Sequence, residues 1–326
     1  MKRRLVSYVA ALSLTALLIL RSGAARAGAL QGWELWTGVL IPSLLPFFTA
    51  ANLLMKLGFT EMLGRRLAAP SEKLLGLSGE GCGIFLLGLS GGYPLGAAAA
   101  AEAVRAGRLD NREAERLLRF CDNTGPAFAV GALGTGVFRS AVWGLGLWGA
   151  HAVSAVLLAR IFRGDAGSAI PSQSEAKPMG FAEALTGAVA AAVNALLAVG
   201  GYVIFFSAVL GVSDTLGFPT RAAEALSRCT GADAAGLRSL MTGMLELSSG
   251  IGAMGTLPLR PGYLALGAFL LSFGGMCVHL QASAVTAGTG LKLTGRLGGK
   301  LLQGLLSAGI VYLAALLILC KMQQQI

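Results

Sequence analysis

The sequence predicts an all-α, polytopic membrane protein with about seven spans and two re-entrant helical hairpins, arranged as an inverted repeat. Of its 326 residues, 55% are hydrophobic and only 13% are charged, and the mean hydropathy is +0.69. A soluble domain has about a quarter charged residues. The hydrophobic residues fall in long runs, and two of these runs are interrupted by glycine. This pattern argues against a soluble enzyme, a DNA-binding domain and a secreted disulfide scaffold.

The N-terminus allows two interpretations. Three basic residues, Lys2, Arg3 and Arg4, precede an apolar run over residues 5–20, so residues 1–30 could form a cleaved signal peptide or a first transmembrane helix. A helix of that run rises about 24 Å, less than the hydrocarbon core of about 30 Å. We favour a retained helix because Arg21 and Arg26 can extend to the membrane interface and the rest of the chain is itself apolar.

Eight further apolar runs follow, at residues 33–59, 81–104, 120–138, 140–162, 184–212, 239–257, 262–291 and 301–319. Two of them contain glycine-rich elements, at residues 88–96 and 248–255. Glycine and proline open a helix and leave peptide groups that lipid cannot satisfy. We therefore expect these two runs, 81–104 and 239–257, to be re-entrant hairpins surrounded by protein or water.

Basic residues flank the apolar runs and give the orientation. The net charge of +10 would suggest nucleic acid in a soluble chain, but here it fits cytoplasmic loops of a membrane protein. The loops expected inside carry Arg65, Arg66 and Lys73; the arginines of residues 105–119; Lys177; and Lys292, Arg296 and Lys300. This places residues 31–180 and 181–326 as two repeats of opposite orientation. Inverted repeats with paired broken helices are typical of secondary transporters.

The first candidate site is the element Gly91, Gly92, Tyr93 and Pro94. Proline after this turn frees backbone groups and places an aromatic hydroxyl at the tip of the hairpin. The alternative is a kink that lets helices pack closely.

The second candidate site is the turn of Asn123, Thr124 and Gly125 before Pro126. Proline fits the first turn of a helix, and Asn or Thr can cap it. The positive end of a half-helix would then face a cavity, although an ordinary interfacial cap has the same sequence.

The third candidate site is Glu246 with Ser248 and Ser249. A buried acid in a hairpin arm could couple proton movement to transport, or it could be a structural partner for backbone amides. The fourth is Gly274 and Gly275, which favour another unwinding, followed by Gln281.

Other chemistry finds little support in the sequence. The five cysteines form no CxxC pair and the two histidines are far apart, so we expect no metal and no disulfide. Walker, HExxH and catalytic-triad patterns are absent from the sequence. We expect no enzyme activity and no cofactor.

Several blocks together identify a resemblance. They are residues 91–97 (Gly-Gly-Tyr-Pro-Leu-Gly-Ala), residues 113–128 from Glu-Ala-Glu-Arg-Leu to Asn-Thr-Gly-Pro-Ala-Phe, and Leu245-Glu246 and Ser272-Phe273-Gly274-Gly275 with Gln281. In this order they resemble the sporulation integral membrane protein YlbJ (SpoVV) family, which carries the nucleoside recognition or Gate domain. Asp122 adds a charge that the family pattern lacks.

The resemblance implies a protein of endospore-forming bacteria in the outer forespore membrane, where it moves dipicolinic acid toward the spore. A planar dianion suits half-helix N-termini and opened amides. A nucleoside or other small polar solute, or a non-transporting scaffold for sporulation proteins, are the alternatives. The expected partners are a small solute and the lipid bilayer but no nucleic acid; a homo-oligomer or complexes with other sporulation membrane proteins are left open.

Overall fold

The chain forms a bundle of helices. In the computed structural model, residues 2–165 and 179–323 are described, and within them every regular element is helical. The elements are α1 (Lys2–Leu20), α2 (Ser22–Leu35), a π-helical turn (Trp36–Leu40), α3 (Ile41–Lys56), α4 (Phe59–Leu75), α5 (Gly79–Gly91), α6 (Leu95–Arg105), α7 (Asn111–Leu117), a π-helix (Phe128–Val137), α8 (Ala141–Ile161), α9 (Phe181–Thr215), α10 (Thr220–Thr230), α11 (Ala234–Leu245), α12 (Leu247–Ala253), a 3₁₀ turn (Met254–Thr256), α13 (Pro261–Phe273), α14 (Gly275–Val285) and α15 (Arg296–Gln323).

The prediction of an all-α, polytopic membrane protein is confirmed. Within the described ranges, five helical segments are long and apolar enough to cross a membrane: Ser22–Lys56, Ala141–Ile161, Phe181–Thr215, Pro261–Val285 and Arg296–Ile318. The bent pair α4 and α5, which meet at 89°, adds a sixth if it counts as one span. The sequence led us to expect seven. The difference lies in α1 and the π-helix, which are apolar but shorter than the roughly 20 residues that a span needs.

Helix α9 is the longest element and packs along α2 and α3. The indole Nε1 of Trp36 donates a hydrogen bond to the carbonyl of Leu196, at 3.0 Å. The Trp36 ring lies on Gly200, where any Cβ would overlap it. In the same way, Gly28 lies against the backbone of α9. Small residues thus let α2 and α9 approach closely, as in other membrane bundles.

The first hairpin is interrupted where the sequence predicts. Helix α5 ends at Gly91 and α6 begins at Leu95, so Gly92, Tyr93 and Pro94 form the break. Gly92 has φ +95°, in the region that favours glycine.

The second hairpin is interrupted earlier than the sequence predicts, which corrects the expected break at residues 248–255. The break is at Glu246, between α11 and α12, and Ser248 and Ser249 lie in the first turn of α12. Glu246 has an extended backbone and its carboxylate accepts the N–H groups of both serines, so the helix restarts there. The glycines serve close packing instead: Gly250 lies directly against the backbone of Gly243.

Two more interruptions complete the pattern. One is the turn over residues 121–125, after which a short helical start at Pro126 continues as the π-helix. The other separates α13 from α14 at Gly274 and Gly275, whose φ values are +87° and +74°. Both were predicted from glycine and proline. Lys177, which the sequence places in a cytoplasmic loop, lies outside the described residues.

Candidate solute-binding site

A cavity lies where the helix interruptions meet. Its volume is about 50 Å³, enough for a few water molecules. A larger solute therefore requires the surrounding helices to separate. Much of the wall is apolar and comes from the π-helical turn before α3, from α3, α9 and the π-helix, and from the starts of α12 and α14: Leu40, Leu44, Phe128, Val199, Val203, Leu247, Cys277 and Val278.

The polar part of the wall consists of residues that the sequence singles out. Seven of them line the cavity: Gly92, Tyr93, Thr124, Gly125, Glu246, Ser248 and Gln281. They come from all of the predicted clusters, so the structure brings the clusters together. Six other predicted residues are beside the cavity lining and not in it: Gly91, Pro94, Asn123, Ser249, Gly274 and Gly275.

Tyr93 and Thr124 hold the end of α13 where the helix opens. The Tyr93 hydroxyl lies 3.1 Å from the carbonyl oxygen of Leu271 and 3.2 Å from that of Ser272. The Thr124 hydroxyl donates to the same Leu271 carbonyl at 2.6 Å. The Gly274–Gly275 break frees these carbonyls, since no later helical N–H reaches them. The first hairpin, the 121–125 turn and the α13 break are therefore one hydrogen-bonded unit.

Glu246 occupies the N-terminus of α12. Its Oε1 accepts the Ser248 N–H at 3.0 Å and its Oε2 accepts the Ser249 N–H at 2.6 Å, and the side chain is 1% exposed. This explains Ser249, whose backbone serves the cap although it does not line the cavity. Of the two roles that the sequence leaves open for Glu246, these contacts are those of a structural partner for opened backbone amides.

Gln281 lies one turn after Cys277, and both line the cavity. The Gln281 Nε2 donates to the Cys277 Sγ at 3.2 Å. A thiol is a weak acceptor, so a solute oxygen can replace it at little cost. This amide is the most available donor that the sequence prediction named.

Helix α15 carries a buried polar stripe that the sequence pattern does not predict. The sequence assigned Arg296 and Lys300 to a cytoplasmic loop, which is wrong: both lie in α15, at 2% and 0% exposure, followed by Gln303 and Ser307 at 0%. A charge count alone cannot tell a loop from a helix. The spacing could have revealed it, because positions 296, 300, 303 and 307 share one face of a helix.

The stripe contacts the turn that precedes the π-helix. Arg296 pairs with Asp122, with Nη2 2.6 Å from Oδ2, and also contacts His279. The Lys300 Nζ lies 2.8 Å from the Asp122 backbone oxygen, and the Gln303 Nε2 donates to the Asn123 Oδ1 at 2.9 Å. Asn123 and Asp122 thus belong to a charged cluster behind the cavity wall.

His151 on α8 joins this cluster to the cavity. The Thr124 N–H donates to its Nε2 at 3.2 Å, so that nitrogen is unprotonated. In the neutral ring Nδ1 then carries the proton, and it faces the Ser272 hydroxyl oxygen at 2.7 Å. His151 is fully buried and fixes the position of the turn. A histidine within an apolar span was the available signal.

Comparisons with known proteins agree with this architecture. No protein-family model matches the chain. A curated relative, the sporulation integral membrane protein YlbJ of Bacillus subtilis strain 168, is 28% identical over 335 residues, which cover 93% of this chain and 80% of the relative. The expected resemblance to the YlbJ family is confirmed, as is an integral membrane location. The Gate-domain assignment stays a prediction.

Solved structures of CNTnw, a concentrative nucleoside transporter, share the fold. A double variant in an outward-facing state has a TM-score of 0.56 at 14% identity, covering 96% of this chain and 85% of that one. Another variant, in the intermediate 3 state, has a TM-score of 0.55 at 15% identity, with 96% and 86% covered. At this identity the likeness shows the fold alone.

Replacing Tyr93 with Phe tests the hydrogen-bonded unit. The variant removes the hydroxyl that faces two opened carbonyls, and we expect a loss of roughly 1–2 kcal/mol of stability. Thermal unfolding in detergent measures it. Tyr312→Phe is the matched control, because Tyr312 is 44% exposed on α15. Equal melting temperatures for the two variants would contradict this role of Tyr93.

Proposed function

We propose that this relative of the YlbJ sporulation membrane proteins is a secondary carrier or facilitator for a small anionic metabolite. The solute proposed is dipicolinic acid, moved across the outer forespore membrane during sporulation. The observation that supports transport most directly is the cavity formed by interrupted helices in a membrane protein with a transporter-like fold. Its position at the interruptions is the place where carriers of this general design bind solutes.

An inverted repeat is part of the proposal. In the first half, the span Ser22–Lys56 is followed by α4, the hairpin α5–α6, the short helix α7, the interrupted segment with the π-helix, and α8. In residues 181–326, α9 is followed by α10, the hairpin α11–α12, the interrupted pair α13–α14, and α15. Apart from α7, which stands where the second half has the 3₁₀ turn Met254–Thr256, the order of element types is the same in both halves. This order supports two related repeats, and alternating access would move one hairpin-bearing part relative to the other.

The walls of the cavity suit a planar ring. Aliphatic and aromatic side chains such as Leu44, Phe128 and Val199 line it, and apolar walls with a few polar groups are typical of small-molecule sites. At the Tyr93 and Thr124 side, the cluster behind the wall contains Arg296 and Lys300 against the single carboxylate of Asp122. This formal excess of positive charge favours a solute carboxylate at that side.

Glu246 limits how a dianion can bind. Its carboxylate lines the cavity and uses the amides at the start of α12. A second solute carboxylate is therefore excluded from that end unless Glu246 is protonated. A nucleoside, whose hydroxyls can donate to a carboxylate, is the rival that this observation favours. A non-transporting scaffold remains the other class and predicts no flux at all.

Uptake by reconstituted liposomes tests the function. We expect folded protein to admit dipicolinate, and Gln281→Ala to reduce uptake about tenfold because a buried donor is lost. Asn123→Ala should also reduce uptake, through the turn that holds Thr124. Gln31→Ala and Asn194→Ala are the matched controls, since both side chains are exposed. No flux from folded protein would favour the scaffold.

Replacing Glu246 with Gln distinguishes an anionic substrate from a nucleoside substrate. The amide keeps an oxygen acceptor for the α12 amides but removes the charge. For a dianion we expect uptake at neutral pH to rise severalfold, because electrostatic repulsion is removed. Competition by unlabelled nucleoside, measured in the same liposomes, should stay weak. Dipicolinate uptake that falls, together with strong nucleoside competition in the wild type, would contradict an anionic substrate.

A further inference from the structure

Lys300 is a buried cation that is held by neutral oxygens. Its ammonium Nζ lies 2.5 Å from the Gln303 Oε1, 2.8 Å from the Asp122 backbone oxygen and 3.4 Å from the Asn123 Oδ1. The Tyr93 ring centroid is 5.2 Å away. Within the described ranges no carboxylate forms an ion pair with Lys300; the nearby Asp122 carboxylate pairs with Arg296.

The oxygens and the aromatic ring around the Lys300 ammonium are groups that can bind a small cation. A buried ammonium without a carboxylate loses its hydration and must recover it from well-placed dipoles. Carbonyl oxygens are the ligands that hard cations take, and the face of an aromatic ring attracts a cation. The side chain of Lys300 reaches this position from α15 and is 0% exposed. The ammonium therefore behaves as a cation in an oxygen cage, formed by the Asp122 backbone oxygen, the Asn123 Oδ1 and the Gln303 Oε1. The lysine side chain tethers this cation to α15.

The oxygen of Asn123 is oriented toward this cage by its own hydrogen bond. The Asn123 Nδ2 donates to the Phe120 carbonyl at 2.7 Å, which turns Oδ1 toward Lys300 and Gln303. The same stretch continues directly into Thr124 and Gly125, which line the cavity. Whatever occupies the cage therefore fixes the position of one wall of the cavity.

We propose that the Asp122 carbonyl and the side-chain carbonyls of Asn123 and Gln303 form a monovalent-cation site, occupied by the Lys300 ammonium, which orders the 122–125 turn. Removing the tether leaves a site that accepts a free small ammonium ion. This inference holds for any solute, so its failure is distinguishable from failure of the proposed transport function.

Chemical rescue tests the site. In Lys300→Ala, we expect the melting temperature in detergent to fall by at least about 5 °C, and methylammonium chloride, present throughout purification, to restore at least half of that loss. Tetramethylammonium chloride at equal concentration should restore nothing, since it is too large for the cage. Lys300→Met, whose side chain fills the space, should not be rescued.

Lys292→Ala is the matched control, because Lys292 is exposed just before α15, and it should neither lose stability nor respond to methylammonium. Wild-type melting of Lys300→Ala, or equal rescue by both ammonium ions, would overturn the proposal.

A second measurement covers the case in which Lys300→Ala does not fold. Gln303→Met removes one oxygen of the cage. If the cage serves the cation, Lys300→Met should lower the melting temperature by a smaller amount in the Gln303→Met background than in the wild type. Additive effects of the two substitutions would show that the ammonium and the cage are independent, and would also overturn the proposal.

Discussion

Every peptide group that a helix interruption opens must be bonded inside the protein, because lipid offers no partner. This constraint determines the centre of the molecule. The carbonyls of Leu271 and Ser272, freed at the end of α13, receive the hydroxyls of Tyr93 and Thr124. The amides at the start of α12 donate to the carboxylate of Glu246. The break after α13 is satisfied by side chains of two other interrupted segments, which holds these three segments together. The α12 break is satisfied by its own Glu246. The cavity lies between these segments.

The hydrogen bonds around the cavity form a first polar layer. The buried polar side chains of α15, with His151, form a second polar layer behind it. The turn over residues 122–125 faces the cavity on one side and the α15 stripe on the other, so the same few backbone atoms belong to both layers. Arg296 and Lys300 bind this turn through Asp122, and His151 binds it through the Thr124 amide. A movement of α15 relative to the turn would therefore change the cavity wall. The two layers are therefore coupled by direct hydrogen bonds to the turn, and not through a long chain of intervening residues.

The sequence predicted the features that depend on unusual residue types. Glycine and proline revealed the breaks at Gly92 and Gly274, and polar residues in apolar runs revealed Tyr93, Thr124, Glu246 and Gln281. The second break was misplaced because glycines in a helix also serve close packing, as Gly250 does.

The apolar walls could not be predicted in the same way. Leu44 and Val199 have the same chemistry as side chains that face lipid, and only the three-dimensional packing decides which face is inside. Lys300 was misassigned for a related reason: a basic residue at the end of an apolar run is usually a topology signal, and its burial follows from tertiary contacts. The number of spans differs because α1 and the π-helix are apolar but shorter than a full span. For the π-helix, hydropathy does not show that the turn over residues 121–125 shortens the helix.

Hydrogen–deuterium exchange with and without dipicolinate tests most directly whether the interrupted helices together form the solute site. If the solute contacts all four interruptions at once, backbone amides near residues 92–95, 123–126, 246–249 and 275–278 gain protection together when it is added. Amides of the exposed helix α10 should not change. Protection confined to one interruption, or appearing at α10 while the four segments stay unchanged, would contradict it.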